Sequence, residues 1–150
     1  MVTFPRQYEN SDKNPDIDQL LTRTIVPAVV GDAAWTLNLM TIEADGDVGG
    51  NAVAVGAYAE RWVPGVIQGH LYKVTIAHSF SLDTLVVTMG GQTLGTLSGV
   101  GTAVFYVRPS DGDKLRFEHA SGANFTGAIT SCVVEMMDPM NVELVPTILT

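Results

Sequence analysis

Leu71-Tyr72-Lys73-Val74-Thr75-Ile76-Ala77-His78 opens the region that decides the fold. Four similar runs follow: Thr84-Leu85-Val86-Val87-Thr88-Met89-Gly90-Gly91, Thr102-Ala103-Val104-Phe105-Tyr106-Val107, Lys114-Leu115-Arg116-Phe117-Glu118-His119 and Ala128-Ile129-Thr130-Ser131-Cys132-Val133-Val134. Each is short, rich in β-branched and aromatic residues, and bounded by Gly, Ser, Asp, Asn or Pro, the pattern of consecutive strands. Apolar residues recur at a period of two: Tyr72, Val74, Ile76 and His78 against Lys73, Thr75 and Ala77; Leu85, Val87 and Met89 against Val86 and Thr88. The later runs repeat it, with Ala103, Phe105 and Val107 against Val104, Tyr106 and Arg108, and Leu115, Phe117 and His119 against Arg116 and Glu118. One face of each strand is thereby assigned to a core and the other to water. The reading is an all-β fold, an antiparallel β-sandwich.

Upstream, a strand is expected from Ala34, with Trp35, Leu37 and Leu39 on one face and Thr36, Asn38 and Met40 on the other. Residues 43–51, Glu-Ala-Asp-Gly-Asp-Val-Gly-Gly-Asn, are polar and glycine-rich and read as a loop. The small residues of 52–59 suit a segment lying under another element, and residues 57–63 make a further strand closed by Pro64-Gly65. Trp35 and Trp62 both fall in strands and read as core residues. Residues 1–32 differ in pattern and read as an extended arm. The pattern there is compatible with a short helix that Asn14 would cap, with Pro15 at its first position, Asp16 and Asp18 in its first turn, and Ile17, Leu20 and Leu21 on one face. After Asp138-Pro139 comes an apolar tail. The organisation expected is an arm over 1–32, a sandwich over 33–138 and a tail over 139–150.

A chain of 150 residues with 46% hydrophobic and 16% charged residues can bury a core as one domain. Its formal net charge of −8 repels phosphate backbones and anionic headgroups, and its eight Lys and Arg residues never cluster. Nucleic acid and membrane partners are therefore not expected. The opening Met1-Val2-Thr3-Phe4-Pro5-Arg6 lacks the basic start and apolar run of a secretory leader, which points to maturation in a cytosol.

The sequence is poor in catalytic signals. Hydrolysis needs a nucleophile and base set by a third group, or carboxylates paired across a cleft. No Gly-x-Ser-x-Gly, His-Glu-x-x-His or phosphate loop is present, and His70, His78 and His119 are isolated in sequence. Cys132, the one cysteine, sits in a strand as a buried thiol, and no disulfide can form within the chain. Asp45 and Asp47 share a turn and could contribute to a Ca²⁺ site, but no further acid stands at a suitable spacing. No enzyme activity, cofactor or metal is expected.

The segments Gly69 to Val74, Leu85 to Gly91, Gly101 to Phe105, Leu115 to Phe117 and Phe125 to Ile129 together resemble the carbohydrate-binding-module-like jelly-roll domains of tailed-bacteriophage virion proteins. That resemblance covers about the last two thirds of the chain. It implies two packed antiparallel sheets and a structural place on a virion. The favoured role is a capsid decoration protein, a homotrimer docking on the major capsid protein through its arm, with Phe4, Tyr8, Ile17, Leu20 and Leu21 as the docking residues. The alternative is a tail or fibre module that binds host-surface glycans, with Trp62 as the contact.

Overall fold

The computed structural model describes residues 22–137. Its strands are β1 (Thr22–Val26), β2 (Trp35–Asn38), β3 (Thr41–Ile42), β4 (Val48–Val53), β5 (Tyr58–Trp62), β6 (Tyr72–Met89), β7 (Gln92–Val107), β8 (Lys114–Glu118) and β9 (Phe125–Met136). The pairings between named strands are antiparallel, and the all-β sandwich read from the alternation is the fold found.

Two layers share one long hairpin. The first half of β6 pairs with β9, which pairs on its other side with β1 and β4, and β4 carries β3. The second half of β6 pairs with β8, which leads outward through β5 to β2. β7 follows β6 through both layers. The sequence reading placed two strands where β6 is one of 18 residues. A register shift lies between Ser79 and Thr84, and Asp83 stands there at φ 64°. The buried positions switch there from Tyr72, Val74, Ile76, His78 and Phe80 to Leu85, Val87 and Met89. An irregularity that flips strand parity lets the same strand present its apolar residues to one core from two layers. β9 flips likewise near Thr130, from Phe125 and Ile129 to Cys132, Val134 and Met136.

The core joins these residues to Ile25, Val26, Trp35, Met40, Val48, Ala57, Ala59, Val63, Leu115 and Phe117. Trp35 is buried as expected. Four local readings change. Thr22–Val26, assigned to the arm, is strand β1 with Ile25 and Val26 in the core, so the sandwich already includes Thr22. Leu37 and Leu39 do not share the burial of Trp35: Leu39 has φ 65°, which ends the alternation and turns Met40 inward instead. The expected loop over 43–51 ends at Asp47, and Gly49 and Gly50 lie within β4. A Cβ at Gly49 would collide with the Gly127 carbonyl oxygen, so the glycine permits a close β4–β9 approach rather than a turn. Ala52, Ala54 and Val55 are exposed rather than covered.

Candidate functional site

The outward face of the β2–β5–β8 layer follows from parity. Ala57, Ala59 and Val63 are buried, which turns Tyr58, Glu60 and Trp62 outward. The register sets Tyr58 opposite Glu118, Glu60 opposite Arg116 and Trp62 opposite Lys114, with Thr36 of β2 opposite Glu60 on the other side. At one end of this face lies a cleft of about 160 Å³ lined by Ala33, Ala34, Thr36, Glu60, Arg61, Trp62 and Lys114. Trp62 is 62% exposed. The sequence reading had assigned it to the core, and the structure corrects this.

Ion pairs hold the polar groups around the ring. Glu60 Oε1 lies 3.7 Å from Lys114 Nζ, and Glu60 Oε2 lies 3.5 Å from Arg116. Arg116 Nε donates to Glu118 Oε1 at 3.1 Å, and the guanidinium lies 3.7 Å from the centre of the Tyr58 ring. Partial burial works against the Arg116 charge, but Glu118 and Glu60 outweigh it and hold the group above its ordinary value. Arg61 is 3.8 Å from Asp32, donates to the Trp62 carbonyl at 2.7 Å and lies over the Trp35 ring. Half-exposed pairs of this kind contribute little stability, about 0–1 kcal/mol each, so their consequence is positional. Arg116 covers Tyr58, while the Trp62 ring stands open beside a carboxylate, an ammonium and a hydroxyl.

An apolar wall with a few convergent donors and acceptors suits a small polyhydroxylated ligand that also has an apolar face. Catalysis has no comparable basis in this cleft. Glu60 is its single carboxylate, and both its oxygens are ion-paired. His78 and His119 are buried against backbone carbonyls, His78 on Gly99, and His119 between Thr84 and Ala123. Cys132 is fully buried, and burial pushes its thiol well up from the ordinary value.

A second polar cluster sits on the β3–β4 turn, where Glu43, Asp45 and Asp47 bring carboxylate oxygens within 4.8 Å of one another. Sequence reasoning singled out Asp45 and Asp47 and found no third acid. Glu43 is that acid, brought across the turn as its N–H donates to the Asp47 carbonyl at 2.8 Å. Three hard oxygen donors of this kind are the type a Ca²⁺ ion takes. Burial raises the Asp47 carboxyl above its ordinary value, and the neighbouring Asp45 carboxylate adds to the shift. The arm residues Phe4, Tyr8, Ile17, Leu20 and Leu21 lie outside the described residues.

No protein-family model matches the chain, and no curated protein matches it either. Solved structures do. A family 35 carbohydrate-binding module (CBM35) from Paenibacillus barcinonensis aligns at TM-score 0.51 and 14% identity, over 75% of this chain and 96% of that one. The C-terminal CBM6 of LamC from Zobellia galactanivorans aligns at 0.51 and 15%, over 76% and 98%. CBM86 from Roseburia intestinalis, described as a low-affinity xylan-binding module, aligns at 0.52 and 18%, over 77% and 94%. At such identities the likeness establishes the fold. The described body is an all-β sandwich of the carbohydrate-binding-module type.

Proposed function

We propose that this chain is a non-enzymatic carbohydrate-binding module that stacks a sugar ring on Trp62. The carrying observation is the exposure of that indole in a cleft whose other walls offer Thr36, Glu60 and Lys114. Glu60 accepts from sugar hydroxyls, Lys114 donates to them, and Thr36 does either. The fold shared with carbohydrate-binding modules supports the reading. A cleft of about 160 Å³ is smaller than the roughly 300 Å³ of pockets that enclose drug-sized ligands, so it takes one ring of a glycan. At roughly 0.3 kcal/mol per heavy atom a single ring yields about millimolar affinity. Such a site works by repetition along a polymer or by copy number.

A place on a bacteriophage particle, inferred from the sequence resemblance, fits this site as a tail or fibre module facing host glycans. Capsid decoration through the arm is the other virion role. The two separate by the copy number of this protein in purified particles relative to the major capsid protein.

The sugar reading is tested by NMR titration of the chain with a panel of soluble glycans taken above millimolar concentration, where a site this weak is occupied. Trp62→Ala is expected to weaken binding about tenfold or more, as loss of an aromatic contact of about 1.5 kcal/mol requires, with the melting temperature unchanged. Binding unaffected by Trp62→Ala removes the site from this cleft, and a panel in which no glycan binds at those concentrations removes the function.

A further inference from the structure

Four of the described strands, β1, β2, β3 and β7, have a neighbour on one side only. The first three span 5, 4 and 2 residues, while β7 spans 16. Edges are ordinarily kept from pairing by being short or by carrying charge or proline. β7 reads Gln-Thr-Leu-Gly-Thr-Leu-Ser-Gly-Val-Gly-Thr-Ala-Val-Phe-Tyr-Val, with neither a charge nor a proline in its length. Its second half adds an apolar row, since Val100, Val104 and Tyr106 point outward and Val100 and Tyr106 are 79% and 60% exposed.

We propose that this edge joins two copies of the chain, paired antiparallel along residues 100–106 about a two-fold axis at Ala103, a stretch that stops short of Gly99 with its φ of 65°. Residues directly opposite in an antiparallel ladder point to the same side, so the axis must pass through a residue and pair positions of equal parity. At Ala103 it sets Tyr106 opposite the partner's Val100 and Val104 opposite the partner's Thr102. These are an aromatic and a β-branched pair of the kind that favours sheet formation. An axis at Phe105 would bring Pro109, which has no N–H, into the ladder. An axis at Gly101 would draw in the register shift between Ser79 and Thr84.

Self-complementarity argues for a second copy as the occupant, and the charge pattern confines that copy to this edge. With a net charge of −8, two copies repel one another over most approaches, and β7 is the long border where no charge meets its like. Lys73 lies beside Tyr106 on β6. In the paired register the two Lys73 side chains stand at opposite ends, roughly 25 Å apart, beyond the ~8 Å screening length of physiological salt. An uncharged strip also offers nothing to steer a charged foreign segment toward it.

Sedimentation velocity over a concentration series of the full chain tests this. A monomer–dimer equilibrium is expected. Thr102→Lys with Val104→Lys places introduced ammonium groups opposite one another twice across the axis and weakens the dimer about tenfold. Thr102→Lys with Val104→Glu places opposite charges there instead and restores it, which neither misfolding nor a different register would do. Circular dichroism of both variants checks the fold. A wild-type chain that stays monomeric, or two double variants with the same dissociation constant, overturns the proposal. So does a dimer that forms only once residues 138–150 are removed, since the edge would then be occupied by the chain's own tail.

Discussion

Trp62 shows what one residue's parity decides. In the run Tyr58-Ala59-Glu60-Arg61-Trp62 the only apolar signals on the opposite parity are the small side chains Ala57 and Ala59 and then Val63. A large indole outweighs them when hydrophobicity is read residue by residue, which is why the sequence placed it in the core. Alternation gave the correct face. Asp47 carries a different residue-scale consequence. Burial and the Asp45 carboxylate disfavour its ionised form, so its folded pKa stands above its unfolded one. A raised carboxyl detracts from stability above the folded pKa, and the deficit vanishes as pH falls below the unfolded value. Asp47→Asn is therefore expected to raise the melting temperature near pH 7 and to leave it unchanged near pH 3, as scanning calorimetry at both values would record. A variant less stable at pH 7 would mean that the carboxylate makes a favourable interaction there. Glu43 was missed because the acids were judged by linear spacing, whereas a two-residue strand and its turn supply the third oxygen.

At the scale of elements, the strands from Tyr72 onward were legible because β-branched and aromatic residues alternate within each run. What alternation could not convey was continuity. Between His78 and Thr84 the pattern breaks, and a break reads as a loop, although here it marks passage from one layer to the other. The same ambiguity hid β4, whose two glycines look like a turn and serve a close approach. Gly49→Ala tests that account. Its Cβ would meet the Gly127 carbonyl oxygen and stand 2.7 Å from the Ala128 Cα, both main-chain atoms that cannot rotate away. The expected cost is about 2 kcal/mol, or a melting temperature lowered by roughly 6 °C. Gly101→Ala, whose Cβ would meet nothing within 4 Å and whose φ is not positive, should be tolerated. Equal tolerance at both positions would mean that β4 and β9 can move apart.

At the scale of the molecule, the β6–β7 hairpin belongs to both layers, so neither layer can be lost while the other stays whole. Cys132, fully buried on β9 beside this hairpin, reports on that unity. Its thiol is expected to resist maleimide labelling in the native protein, with a labelling rate that follows global unfolding as denaturant is added. Rapid labelling without denaturant would reveal a local opening of β9. The described chain also enters and leaves side by side, with Thr22 of β1 opposite Glu135 of β9 in an antiparallel pair. Tension applied through the two flanking segments thus acts across the β1–β9 ladder at its open end. It loads the hydrogen bonds one after another like a zipper instead of shearing them together. The body is mechanically soft to a pull on its own ends, and stiff to one that crosses the shared hairpin.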